Sequence, residues 1–242
     1  MKERIYTIPI NDAFDTDCEC PLCEFERAEE QNRIEYTLGA SMMEPDARII
    51  TNERGFCRHH CSMLFRCENK LSLALVLKTH LDNLIAEFED ADSLIADTGK
   101  KGLFSKSKSD TVADAVVMIS SRHNSCAVCE KLESIMKVFT QNIVDLYFDE
   151  PDFKAKFESS KGFCLRHYDL LLTTAHNELG GKKRQEFCSR LSAIQLDNFK
   201  RMADEVDWFT KKFDYRYKDE DWKNSRDAVP RAVQKVAGYI EE

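Results

Sequence analysis

Glycine and proline are scarce here, 8 and 5 of 242 residues. An all-β chain needs a turn residue every ten positions or so, and this supply argues against one and for long, little-interrupted helices. Long apolar runs are missing too. Nothing approaches the roughly 18–20 consecutive apolar residues of a spanning helix, so no membrane association is expected. Met1-Lys-Glu-Arg-Ile-Tyr-Thr-Ile-Pro-Ile10 has no apolar stretch followed by a small-residue cleavage site, and a cytoplasmic location is expected. Positive charge is in deficit, with a net charge of −8. Without a basic excess to neutralise phosphates, a nucleic-acid partner is not expected. The chain has no Gly-rich phosphate loop, no HExxH helix and no CxxCH haem attachment, since Glu24 and Glu130 follow each CxxC. No set of residues reads as catalytic, and no enzyme activity is expected.

Cysteine, by contrast, is plentiful, at 10 residues. In a reducing compartment such cysteines are metal ligands or redox groups rather than disulfides. Their arrangement is duplicated. Cys20-Pro-Leu-Cys23 is followed by Glu44-Pro45-Asp46 and by Gly55-Phe56-Cys57-Arg-His-His60. Cys126-Ala-Val-Cys129 is followed by Glu150-Pro151-Asp152 and by Gly162-Phe163-Cys164-Leu-Arg-His167. Leu81-Asp82-Asn83-Leu84 and Leu196-Asp197-Asn198-Phe199 extend the likeness. Landmarks in one order at matched spacing mark an internal duplication.

Each copy supplies the parts of a metal knuckle. CxxC gives two sulfurs from one tight turn, and CxxH inside a helix sets Cys and His on one face. The glycine ahead of Phe-Cys allows the chain an unusual backbone angle. Three thiolates and an imidazole fill the tetrahedral shell of Zn²⁺ and leave no place for water or substrate, as in structural sites. The expected ligands are Cys20, Cys23, Cys57 and His60 in one set and Cys126, Cys129, Cys164 and His167 in the other, two Zn²⁺ per chain. Pairing within each copy is the default, with an exchange of half-sites between copies as the alternative. An iron–sulfur or redox use of the same cysteines stays open.

The remaining candidates fall outside the shared pattern. His59 aligns with Arg166, Cys61 with Tyr168 and Cys18 with Asn124. Cys18, Cys61, Cys67 and Cys188 are expected to be ordinary buried thiols. Cys18 and Cys61 flank a metal set and would make the first copy the more reactive one. His80, His123 and His176 stand alone and are not expected to ligate.

Apolar residues recur at helical spacing in Val128-Leu132-Ile135-Phe139-Ile143-Leu146, Leu73-Leu77-Leu81-Leu84-Phe88 and Phe187-Leu191-Ile194-Met202-Val206-Phe209-Phe213. Val229-Val233-Val236-Ile240 does the same. All are read as core-facing stripes. The expected architecture is all-α, with two tandem helical repeats, 1–96 and 113–242, each carrying a Cys₃His knuckle. A Gly/Ser/Lys-rich linker at 97–112 joins them, and a short extended arm at Ile5–Ile10 precedes them.

Ile-Tyr-Thr-Ile-Pro at the start, CPLC, the doubled GFCxxH and Ser225-Arg-Asp-Ala-Val-Pro-Arg-Ala together resemble an uncharacterised family of bacterial cytosolic proteins, a domain of unknown function. The resemblance runs over the whole chain. It implies a bacterial, cytoplasmic setting and no particular activity. The function expected is a non-enzymatic zinc protein that offers a helical scaffold to a protein partner. A thiol-based redox or metal-release sensor is the alternative.

Overall fold

A computed structural model describes residues 6–96 and 111–239. Within them lie eleven α-helices and no β-strand. In chain order they are α1 (Thr7–Asp15), α2 (Pro21–Leu38), α3 (Pro45–Arg54), α4 (Arg58–Arg66), α5 (Lys70–Ala96), α6 (Thr111–His123), α7 (Ala127–Asp149), α8 (Pro151–Ser159), α9 (Leu165–Glu178), α10 (Gly181–Lys211) and α11 (Ala228–Ala237). No described helix is long and apolar enough to cross a membrane.

The element order recurs. A helix opens in each CxxC, at α2 and α7, and a short helix follows with proline in its first turn, at α3 and α8. Proline suits that position because its missing N–H would have had no partner there. Next, Cys57 and Cys164 cap α4 and α9 with nearly the same backbone angles (φ −69°, ψ 167° and φ −70°, ψ 162°). Long α5 and α10 close the two series.

Two expectations change. The extended arm is a helix, α1, and of its residues only Ile5 lies outside the described part. Pro9 falls in the first turn of α1, where the N–H groups are unbonded anyway, so it does not oppose the helix. Burial of Ile10 and Ala13, three apart on one face, holds α1 down. The linker expected at 97–112 lies outside the described residues over 97–110, and Thr111 and Val112 open α6.

The compact units do not follow the two sequence copies. One unit is Met1–Ala28 with Ser134–Glu242, and the other is Glu29–Glu133. The core of the first is large and aromatic. The inward face of α7 (Ile135, Phe139, Ile143, Leu146) meets Phe153, Phe157, Phe163 and Phe187, all buried. Phe25 stacks on Phe139 with ring centroids 3.6 Å apart. Each such side chain adds about 2–3 kcal/mol on burial. The second unit has a thinner core: Ile34, Leu38, Leu64, Leu73, Val128 and Leu132 around Cys126.

The apolar stripes are only partly core-facing. On α5, Leu73 is buried while Leu81 and Phe88 are exposed, and Phe213 lies exposed past the end of α10. On α11 the stripe Val229-Val233-Val236 faces outward, and the buried residues are Ala228 and Lys235. Ile240 lies outside the described residues.

Candidate metal centres

The eight expected ligands gather into two quartets, and the partners are exchanged. Cys20 and Cys23 meet Cys164 and His167, and Cys126 and Cys129 meet Cys57 and His60. This corrects the default pairing within each copy. Every quartet joins the CxxC of one copy to the GFCxxH of the other. The first lies wholly in the 1–28/134–242 unit and the second wholly in the 29–133 unit.

The geometry suits one tetrahedral ion per quartet. His167 Nδ1 lies 3.4 Å from Cys20 Sγ, 3.4 Å from Cys23 Sγ and 3.3 Å from Cys164 Sγ. His60 Nδ1 lies 3.2 Å from Cys57 and Cys126 and 3.4 Å from Cys129, and the sulfurs of Cys57 and Cys129 are 3.8 Å apart. Around a tetrahedral Zn²⁺ with ordinary bond lengths, sulfurs stand about 3.8 Å apart and sulfur and nitrogen about 3.5 Å. Both Cys₃His sets are compatible with metal binding through Nδ1.

Charge points the same way. The thiols of Cys20 and Cys23 hold Cys164 well below the ordinary thiol range, burial opposing and His167 assisting, while hydrogen bonding to Cys164 and Cys20 drives Cys23 up. In the second quartet burial opposes ionisation of Cys126, but His60 and nearby backbone N–H groups bring it down to about 6. Burial and the Cys126 thiolate push Cys129 up. Burial alone would lower His60; Cys126 and Glu30 instead lift it to about 10. Sulfurs this close cannot all ionise beside one imidazole. A divalent cation among them lets three thiolates coexist.

Local structure explains why the donors converge. Cys23 N–H bonds to Cys20 O at 3.0 Å, closing the CxxC turn, and His167 N–H reaches Cys164 Sγ at the start of α9. Gly55 and Gly162 turn the chain into α4 and α9 with φ of +58° and +78°, a region unfavourable for side chains. A Cβ on Gly162 would stand 3.1 Å from Gln195, whose amide clamps both Phe163 N–H (2.9 Å) and Phe163 C=O (2.8 Å). His80 fills the matching place in the other copy. Its ring lies against Gly55, and its Nδ1 donates to Asn52 O at 2.8 Å. The repeated asparagines do one job: Asn83 donates to Asn52 O and Asn198 to Ser160 O, just ahead of each glycine.

Sequence reasoning missed the groups behind the ligands. Glu30 Oε1 lies 2.9 Å from His60 Nε2, and Glu26 Oε2 lies 3.2 Å from His167 Nε2, the latter without hydrogen-bond alignment. A carboxylate behind a ligating imidazole fixes its tautomer and raises its basicity. Each carboxylate is held by the residue before the histidine. Arg166 pairs with Glu26 at 2.8 Å, and His59 Nε2 with Glu30 at 3.1 Å. His59 therefore has a role although it differs in kind from Arg166.

The two quartets differ in access. Cys20, Cys23, Cys164 and His167 are all buried, and Gly238 after α11 lies against Cys164, where an added Cβ would come within 3.8 Å of the sulfur. In the second quartet Cys129 is exposed and Cys57 half-buried. Among the other thiols, Cys61 is exposed, contrary to expectation, and Cys18, Cys67 and Cys188 are half-buried. None of these four, nor His80, His123 or His176, joins a ligand cluster among the described residues.

Beside Cys20, the carboxylate of Glu19 (2% exposed) receives three cations. Arg201 approaches at 2.6 Å, Arg231 at 3.1 Å and Lys235 at 3.1 Å. Lys235, 1% exposed, also donates to Glu19 O and Lys161 O. The network ties α11 to the turn that presents Cys20.

The Family of unknown function (DUF6062) matches residues 1–242. The chain belongs to this family. No curated protein and no solved structure matches it. Membership in DUF6062 carries no activity with it, and function is read from the quartets themselves.

Proposed function

We propose that this chain is a non-enzymatic zinc protein. Two structural Cys₃His sites, one Zn²⁺ in each, pin its helices into a scaffold for protein–protein contact, and the two copies of the duplication complete each other's sites. The observation that carries the reading is the closed donor set. Four protein atoms with tetrahedral spacing leave no position for water or substrate, and this is the mark of a structural zinc. The carboxylates behind both imidazoles are the usual accompaniment of such a site.

Protein purified without added metal is expected to contain two zinc ions per chain by elemental analysis. Chelation is expected to lower its helical circular dichroism. Fewer than about one zinc per chain, or an unchanged spectrum after chelation, overturns the reading. A brown absorbance near 400 nm in anaerobic preparations would favour an iron–sulfur cluster instead.

One observation favours a second reading, a metal-release sensor. The quartet with exposed Cys129 has two sulfurs 3.8 Å apart, those of Cys57 and Cys129. Hydrogen peroxide would oxidise these two thiolates to a disulfide and itself be reduced to two hydroxide ions, freeing the metal. The switch then lies at Cys129 rather than at Cys18, whose thiol burial and Glu24 push up to about 12. Mild peroxide is expected to release one zinc and retain the other, as read with a chromogenic chelator. Simultaneous loss of both, or of neither, sinks the sensor reading.

A further inference from the structure

Helix α5 is apolar on two sides. Its inner side buries Leu73 and Val76. A solvent-facing side of such a helix is ordinarily polar. Here it carries Leu71, Leu75, Leu81, Ile85 and Phe88, exposed by between 46% (Leu75) and 72% (Leu71). Taking about 200 Å² for a large apolar side chain, these residues leave on the order of 500 Å² uncovered, within the range of the largest apolar patch on a monomer, which is often functional.

The order of residues along this face says what covers it. Leu71, Leu75, Lys78, Asp82 and Ile85 follow at alternating steps of four and three, the spacing of a helix-pairing seam. Two opposite charges, Lys78 and Asp82, sit in the middle of the seam, paired with each other at 2.6 Å and exposed. We propose that α5 packs antiparallel against α5 of a second copy of this chain, across a two-fold axis level with the midpoint of Lys78 and Asp82.

That axis sets Leu75 opposite Ile85, Leu71 beside Phe88, and Lys78 of each copy opposite Asp82 of the other. A two-fold contact must be complementary to itself, and this seam is. A parallel pairing would oppose lysine to lysine and aspartate to aspartate, and the charges exclude it. An unrelated partner helix would have no reason to match a charge pattern symmetric about its own centre. The contact buries about 1,000 Å² over both copies, near the lower bound for a specific interface, and so gives a reversible, concentration-dependent dimer.

The inference rests on the scaffold part of the proposed function and not on the metal. The test is sedimentation velocity on full-length, zinc-loaded protein from about 1 µM to about 200 µM, a range over which a weak dimer's mass follows concentration. The average mass is expected to rise from 28.0 kDa towards twice that value. Ile85→Glu and, separately, Lys78→Asp are expected to remain monomeric throughout. The double exchange Lys78→Asp with Asp82→Lys is expected to restore the dimer, a rescue that general surface stickiness would not give. A native monomer across the whole range overturns the proposal, as does a dimer indifferent to both single substitutions. If Ile85→Glu loses zinc or helicity, the exposed charge variants decide alone. A monomer with two zinc ions sinks the pairing and spares the metal reading; a dimer without zinc does the reverse.

Discussion

Cys126→Ser is expected to unfold the 29–133 unit, and Cys164→Ser to weaken the other unit without unfolding it. Cys126 is buried within the thinner core, and His60 and nearby backbone N–H groups make its sulfur easier to ionise. A structural zinc contributes an apparent 10–16 kcal/mol or so in small folds, comparable with the whole stability of a domain of this size. Ile34, Leu38, Leu64, Leu73 and Val128 are few side chains to hold the six helices α2 to α7 without it. Cys164 lies instead in a core that buries six phenylalanines, and that core is expected to persist when a metal ligand is lost. Both variants are expected to retain about one zinc per chain. Only Cys126→Ser should lose a large share of its helical signal and become open to limited proteolysis between residues 29 and 133. Equal unfolding in both variants would show that the metal sets the stability of the two units alike, and unfolding in neither would show that the apolar cores hold both without it.

Glu19→Gln is expected to cost about 3–5 kcal/mol, the range for breaking a buried ion pair from one side. The substitution keeps the shape and removes the charge that faces Arg201, Arg231 and Lys235. Glu205 and Asp227 still accompany the arginines. Lys235 is left with carbonyl oxygens alone, inside the protein. Lys235→Met should be milder, because both arginines still neutralise Glu19 and the new side chain fills the lysine's apolar path. The measurement is the urea midpoint of each variant; a loss below about 1 kcal/mol for Glu19→Gln would remove the network from the account of stability. The acid limb follows from the same group. Burial raises the Glu19 pKa, but its cation partners outweigh that and set it below the ordinary 4.5. Its contribution is therefore complete at neutral pH and lost as pH falls below about 4. Glu19→Gln should flatten that limb.

The ligands were legible because zinc chemistry demands them at short spacing. CxxC and CxxH are local patterns, and local patterns survive in a sequence. Which CxxC meets which CxxH is not local. Both solutions use the same residue types at similar separations, and only the packing of long helices chooses between them. Glu26 and Glu30 were hidden for a further reason. The residues at the matching places of the second copy are Leu132 and Met136, so comparison of the copies points away from the carboxylates. Both come from α2, in a run of charged residues that reads as a solvated face. His59 and Arg166 were hidden by unlike chemistry, since an imidazole and a guanidinium both reach the carboxylate from the same position. Helices α5, α7, α10 and α11 were legible from periodicity; α1 was not, because Pro9 misdirects and only its place in the first turn makes it harmless. Periodicity could not say what each stripe faces. A core stripe and a docking stripe look the same on α5, and on α11 the residues buried are Ala228 and a lysine, Lys235, rather than the valine stripe.

The exchange of partners also orders events in time. Cys20 and His167 stand 147 positions apart, while Cys126 and His60 stand 66 apart. On a ribosome adding 5–20 residues each second, the inner quartet is complete soon after Cys129 emerges. The thiols of Cys20 and Cys23 must then wait through roughly another 40 residues, a few seconds of synthesis, before their imidazole arrives. During that interval the earliest cysteines of the chain are its least protected, and the nested wiring makes the outer unit the last to close.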